Sequence, residues 1–272
     1  MNYRLLAADM DGTLLNDNLV ISPRTQDAVR QWVDAGLLLV PTTGRPLCAL
    51  GKISSLFEED MPFIVYNGAM GIMHRSKEVL FTFTLTPELV PEIMELAEER
   101  GIPAGLWCQE KLYANFDCEP MRLFQKATSA PAKILDGPEE LESLAIKGVT
   151  KIFWIDYSHN VVTHQREMPA HFGDKVNCHA SIPELFEFVS PEASKAKALE
   201  KLRVSLNVSR EEIIAIGDGY NDLSMLKYAG FSIAMGNAPQ DIKEICNHVT
   251  LDNNNDGVAI WIENYLKEHL IN

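Results

Sequence analysis

Leu5-Leu6-Ala7-Ala8-Asp9-Met10-Asp11-Gly12-Thr13-Leu14-Leu15 decides how the rest of the chain is read. Four apolar residues run straight into two carboxylates, a glycine and a hydroxyl. So short an apolar run suits a strand buried on both faces, as in a parallel sheet. Open α/β sheets bind their ligands beyond the carboxyl ends of such strands. Residues i and i+2 of an extended segment leave on the same side, so Asp9 and Asp11 can converge while Met10 points away. Gly12 allows the turn and lets backbone N–H groups approach an anion. Two carboxylates at one small mouth repel by about 4 kcal/mol at a separation of about 4 Å in an effective dielectric of about 20. A proton, a cation or a metal has to relieve them. The plain alternative is an acidic loop that caps the next helix.

The rhythm continues outward from this strand. Ser22-Pro23 predicts an N-cap followed by proline at the first helical position. Ala28, Val29, Trp32 and Val33 supply the helical stripe, and Gly36 ends it. Leu37-Leu38-Leu39-Val40 predicts a second buried strand leading into Pro41-Thr42-Thr43-Gly44-Arg45-Pro46, with a helix from there to Phe57. Phe63-Ile64-Val65-Tyr66 predicts a third strand, and Asn67-Gly68 a hairpin turn into Ala69 to Met73. The final third resumes the pattern. A helix over Ser194 to Ser205 precedes a strand at Ile213 to Ile216, then Gly217-Asp218-Gly219-Tyr220-Asn221-Asp222, another helix, a strand from Phe231 to Met235 and a C-terminal helix. Alternating βα units at both ends predict an α/β core, a doubly wound, Rossmann-like parallel sheet built from residues 1–83 and 191–272. Residues 84–190 differ: a helix at Pro87 to Arg100, paired strands near Ala104–Trp107 and Lys111–Asn115, and a strand at Val149–Ile155 before a helix near Ser158–Pro169. They predict an inserted α+β domain joined at Thr84-Leu85-Thr86-Pro87 and Ser190-Pro191-Glu192.

Size and charge narrow the classes. A chain of 272 residues fits two domains. Its formal charge of −14 argues against nucleic acid or an anionic membrane surface as the main partner, but not against a small phosphorylated ligand. Cys48, Cys108, Cys118, Cys178 and Cys246 are odd in number and scattered, which argues against a disulfide framework or a thiolate zinc site. Reduced cysteines fit a cytoplasmic protein. No apolar stretch approaches the roughly 20 residues of a membrane span, and Leu5 to Ala8 is too short for a signal-peptide core. The seven histidines show no paired metal spacing and default to structural or surface roles.

Four stations carry chemistry: Asp9 with Asp11; Thr43-Gly44-Arg45 after the second strand; Lys195 near a helix start; and Asp218 with Asn221 and Asp222. Singly, Thr43 reads as a helix cap, Lys195 as a solvated lysine and Gly217-Asp218-Gly219 as a turn. In this order the set resembles the haloacid dehalogenase-like superfamily of phosphotransferases. Its first motif is matched by Asp9-Met10-Asp11-Gly12-Thr13, its second by Thr43-Gly44-Arg45, its third by Lys195 and its fourth by Gly217 to Asp222. The insert after the third strand, Asn67-Gly68-Ala69, and Met235-Gly236-Asn237-Ala238 resemble the Cof-type branch with a large α/β cap. Thr42 stands where alanine is common and Ala196 where glycine is common; neither change removes a reacting group.

The resemblance implies a Mg²⁺-dependent phosphatase acting on small phosphorylated metabolites, sugar phosphates foremost, through an aspartyl-phosphate. By it, Asp9 is the nucleophile, and Asp11 protonates the leaving alcohol and later activates water. Asp9, the Asp11 backbone carbonyl and Asp218 would hold Mg²⁺. Thr43, Gly44, Lys195 and Asn221 would bind the phosphoryl group, and Asp222 would orient the metal's surroundings. Arg45 either reaches the substrate or is a surface arginine. Asn67-Gly68 reads first as a turn and second as a contact to substrate, and Asn237 and Asp256-Gly257 read first as loop and cap residues. Two further readings stay open: a hexose-phosphate phosphomutase, and a non-catalytic phosphometabolite sensor that would have no use for a nucleophile and an acid together. Oligomeric state is not legible.

Overall fold

Residues 3–51, 57 and 59–269 are described in a computed structural model. Strand β1 (Leu5–Asp9) is buried along its whole length, as its unbroken apolar run requires. Helix α1 (Pro23–Asp34) begins where the Ser22 side chain accepts from the Thr25 N–H, and it buries Thr25, Ala28, Val29 and Trp32. Strand β2 (Leu38–Thr42) outlasts its apolar run because Pro41 and Thr42 stay in register beside Ala8 and Asp9. Of the helix expected up to Phe57, a 3₁₀ turn at Leu47–Leu50 is seen, and most of the remainder lies outside the described residues. Strand β3 (Pro62–Val65) turns through Tyr66–Gly68 into β4 (Met70–Met73), followed by β5 (Val79–Thr82).

The middle of the chain then forms α2 (Leu89–Glu99), β6 (Ala104–Cys108), β7 (Lys111–Ala114), α3 (Glu119–Thr128), β8 (Ala132–Ile134) and α4 (Pro138–Lys147). It continues through β9 (Val149–Ile155), α5 (Ser158–Phe172), β10 (Asn177–Ile182) and β11 (Leu185–Val189). Its six strands lie in the order β10-β11-β9-β6-β7-β8. Alternation along the strands sorts their side chains. Ile152, Trp154, Phe186, Phe188 and Leu106 join the core against α2, α4 and α5. On the intervening positions, Lys151 Nζ meets Glu187 Oε1 at 2.6 Å with both side chains about 5% exposed or less.

The last third returns with α6 (Lys195–Ser205), β12 (Ile213–Gly217), α7 (Leu223–Tyr228), β13 (Phe231–Ala234), α8 (Gln240–Ile245), β14 (His248–Val249) and α9 (Gly257–His269). The large sheet runs β14-β13-β12-β1-β2-β3-β4-β5. It is parallel from β14 to β3, but β3 and β4 pair antiparallel. The expected parallel core is present, and the hairpin expected at Asn67-Gly68 returns β4 antiparallel to β3, because so short a turn can only send the chain back against its own direction. One face packs Leu5, Ala7, Val40 and Ile64 against Ala198, Leu199 and Leu202 of α6. Elsewhere Trp32 of α1 meets Trp261 and Tyr265 of α9 at ring distances of 6.2 and 5.5 Å. From β1 the order proceeds one way to β2 and the other way to β12, so the sheet's switch point lies between β1 and β12. The chain divides into two compact units, Met1–Gly44 with Lys52–Phe81 and Ser194–Asn272, and Arg45–Gly51 with Thr82–Ala193.

The buried Lys151–Glu187 pair sets a stability test. Lys151→Met strips Glu187 of its buried cation and is expected to cost about 3–5 kcal/mol in urea unfolding, most of it regained when Glu187→Leu is added. A single variant as stable as the parent would show that the pair is solvated.

Candidate active site

The two strands at the switch point both end in acid. β1 terminates at Asp9, and β12 is followed at once by Asp218. Ser194 accepts from the Lys197 N–H at 3.1 Å and thereby starts α6, making Lys195 its first residue. Lys195 is 1% exposed, and its Nζ lies 2.5 Å from both Asp9 Oδ1 and Asp222 Oδ1. Burial by itself would depress this ammonium, but the charges of Asp222 and Asp9 outweigh it and hold Lys195 above its ordinary range. Burial and the Asp222 charge drive the Asp9 carboxyl well above the usual carboxylate range, against the pull of Lys195. Asp218 is pushed up to about 6, chiefly by burial and then by Asp222.

The carboxylates differ in what they have left to give. Asp222 uses both oxygens: Oδ1 faces Lys195, and Oδ2 accepts from the N–H groups of Asp218 (3.1 Å) and Gly219 (2.9 Å). Asp218 accepts from Thr13 Oγ1 at 3.0 Å on one oxygen and from Asn237 Nδ2 at 3.1 Å on the other. Asn237 Nδ2 also donates to the Gly12 carbonyl at 2.9 Å, tying the loop after β1 to the loop after β12. Among the described residues no donor meets Asp9 Oδ2. Gly12 sits at φ +77°, and a side chain there would run into the Asp218 carboxylate. The glycine is what lets the two acidic loops touch.

A second group gathers beside the start of α6. Thr43 is fully buried; its N–H donates to the Ile64 carbonyl at 2.8 Å, and its own carbonyl accepts from the Asn67 N–H at 2.9 Å. Gly44 packs on the Asn67 amide, and Asn221 Nδ2 donates to Asn67 Oδ1 at 3.3 Å. Tyr66, Asn67 and Gly68 are all left-handed, with φ of 53°, 55° and 100°. For the two non-glycine residues that costs roughly 1–2 kcal/mol each. A Cβ on Gly68 would overlap the Ser194 carbonyl, so this turn is pressed against the first turn of α6. Asp11 is half-buried, and its charge helps raise Asp218. Arg45 belongs to the second compact unit. The structure thus joins Asp9, Lys195, Asp218 and Asp222 in one cluster, and Thr43, Gly44 and Asn221 around Asn67. Thr13, Asn67 and Asn237 were not singled out by residue type. By sequence the Asn67-Gly68 pair reads first as a turn and second as a contact to substrate, and Met235 to Ala238 as a loop shared with the Cof-type branch.

The haloacid dehalogenase-like hydrolase family model matches residues 6–262. The crystal structure of TM0651 from Thermotoga maritima, 31% identical, superposes with a TM-score of 0.85 over 96% of this chain and 97% of that one. A haloacid dehalogenase-like hydrolase from Bacteroides thetaiotaomicron, 29% identical, also gives 0.85 over 97% and 100%. The 5-amino-6-(5-phospho-D-ribitylamino)uracil phosphatase YwtE of Bacillus subtilis is 29% identical over 286 residues, 97% of this chain and 98% of its own. With its acid cluster at the switch point and this match across nearly its whole length, the chain belongs to the haloacid dehalogenase-like hydrolase family. It is an enzyme of the phosphoric monoester hydrolase class.

Asp9, Asp218 and Asp222 offer carboxylate oxygens within 4.8 Å of one another, an all-oxygen donor set suited to a hard divalent cation. The raised carboxyls carry a linkage consequence. The folded chain binds the Asp218 proton more tightly than the unfolded chain, so this contribution to stability is full below the ordinary value of 3.8 and is lost as pH rises through about 6. A bound cation relieves that repulsion. Added Mg²⁺ is therefore expected to raise the melting temperature more at about pH 7.5 than at about pH 5, and Asp218→Asn to shrink the difference, with Asp9 supplying what remains. Equal shifts at both pH values by differential scanning fluorimetry would refute this account.

Proposed function

We propose that the enzyme is a Mg²⁺-dependent phosphatase of small phosphorylated metabolites, sugar phosphates foremost, working through an aspartyl-phosphate on Asp9. The observation that carries this reading is the asymmetric use of Asp9. Lys195 pins Oδ1 and so sets the carboxylate's direction, while Oδ2 meets no donor among the described residues. That is the arrangement a nucleophile needs. In the first step Asp9 Oδ2 forms a bond to phosphorus as the ester P–O bond breaks, and the Asp11 carboxyl gives its proton to the departing alkoxide. In the second, water attacks the same phosphorus, Asp11 takes its proton, and Asp9 and inorganic phosphate are released. Thr43, Gly44, Lys195 and Asn221 hold the phosphoryl oxygens during transfer.

An anionic nucleophile must meet a dianionic ester, and Lys195 shares its single charge with Asp222. Mg²⁺ on Asp9, Asp218 and the Asp11 main-chain carbonyl would supply the missing positive charge. Asp222 is fully buried, with its oxygens on the ammonium and two backbone N–H groups, whereas Asp218 is half-buried; Asp222 therefore positions Lys195 and the Asp218 loop and leaves the ion to Asp218. Residues 84–190 would serve as the cap that sorts leaving groups and excludes water, with Arg45 either a substrate contact or a surface arginine. The substrate named for YwtE, a phosphorylated ribityl compound, supports a polyhydroxylated ester. Five free cysteines support a reducing, cytoplasmic setting.

Screening phosphate release over metabolite esters, with Mg²⁺ and with chelator, tests this reading. Asp9→Asn is expected to lose roughly 10⁴-fold or more in kcat while keeping its circular dichroism and melting temperature. Release at the parental rate from that variant would overturn the assignment. A requirement for a bisphosphate activator would turn the reading to a phosphomutase.

A further inference from the structure

Asn67 belongs to no catalytic motif, yet the segments assigned to phosphate binding converge on it. Its N–H donates to the Thr43 carbonyl at 2.9 Å, and Gly44 packs against its amide. Its Oδ1 accepts from Asn221 at 3.3 Å. Its neighbour Gly68 abuts Ser194, the residue before Lys195. The backbone bends to achieve this: Tyr66, a buried aromatic residue, and Asn67 are both left-handed. Consecutive non-glycine residues hold that conformation only when their surroundings over-determine it, and such positions cluster at ligand sites. One part of the side chain is left over. Among the described residues nothing accepts from Asn67 Nδ2, and the residue is half-exposed. A neutral amide there offers N–H donors to an anion without competing for a cation.

We propose that Asn67 is a phosphate-binding residue: Nδ2 donates to a non-bridging oxygen of the phosphoryl group while Oδ1 holds the Asn221 amide in place. This rests on the phosphatase reading above. The competing explanation is conformational, since asparagine tolerates a left-handed backbone better than most residues. Glycine tolerates it better still, so Asn67→Gly separates the two. A residue present only for the turn loses nothing on becoming glycine.

The experiment measures melting temperature, KM, kcat and the inhibition constant of inorganic phosphate for the Mg²⁺-loaded enzyme. Asn67→Gly is expected to melt no lower than the parent while weakening phosphate inhibition and raising KM roughly 10- to 100-fold, the range for a hydrogen bond to a charged group. Asn67→Asp, which sets an anion against the dianion, is expected to be worse. In an Asn221→Ala background Asn67→Gly should weaken phosphate further. Parental KM and phosphate inhibition in Asn67→Gly would overturn the proposal, as would no further loss in the Asn221→Ala background, which would leave Asn67 only a prop for Asn221. If the parent hydrolyses no ester, the phosphatase reading fails on its own. Calorimetric titration with inorganic phosphate still compares parent and Asn67→Gly directly, and equal affinities there overturn the assignment of Asn67.

Discussion

One buried ammonium shared by two carboxylates governs the core of this protein. Lys195 has a single positive charge, and Asp9 and Asp222 both take hold of it while Asp218 stands close by. Charges withdrawn from water cost several kcal/mol each unless they are paired and hydrogen-bonded. The structure meets that cost unevenly. Asp222 receives the ammonium and two backbone donors, and Asp218 receives a hydroxyl and an amide. Asp9 alone keeps an oxygen without a donor among the described residues. The cluster is left with more negative charge than it can neutralise, and burial raises Asp9 and Asp218 in consequence. A protein built only for stability would have trimmed that excess. A cation and a phosphoryl group give it a purpose.

The fold brings this about with little machinery. Parallel strands on either side of the switch point deliver Asp9 and Asp218 to the same end of the sheet, and α6 delivers Lys195 from a helix start capped by Ser194. Small residues then permit contact. Gly12 makes room for the Asp218 carboxylate, and Gly68 lets the strained Tyr66–Asn67 turn lie against α6. Asn237 closes the arrangement by joining the loops after β1 and β12 with one amide.

The second unit treats buried charge in the opposite manner. Lys151 and Glu187 pair within its sheet, with His179 Nε2 3.6 Å from the carboxylate. Its buried lysine meets a buried carboxylate, whereas in the first unit one buried lysine is shared by two.

How much of this was legible follows from how local each signal is. The apolar run ending in Asp9, the Ser22-Pro23 cap, and the strand before Asp218 need only a few neighbouring residues, and each element stands where its pattern put it. Helix α3 escaped although its apolar residues fall on one side, because it spans only ten residues and buries only Met121, and β8 is a three-residue strand with two residues exposed. The hairpin after β3 was visible too, since Asn-Gly between two apolar runs is a local signal, and β4 returns antiparallel from it. Asn67 and Asn237 lie beyond any local signal, since their side chains act on groups 154 and 225 residues away. The amino-acid sequence by itself determined which strands are buried, where the carboxylates leave them and which glycines free the turns, because backbone geometry and hydrophobic periodicity operate over a few residues. Only the tertiary structure decided which carboxylate keeps an open oxygen and which lysine loses its water, because burial and charge pairing depend on segments that the chain brings together from its two ends.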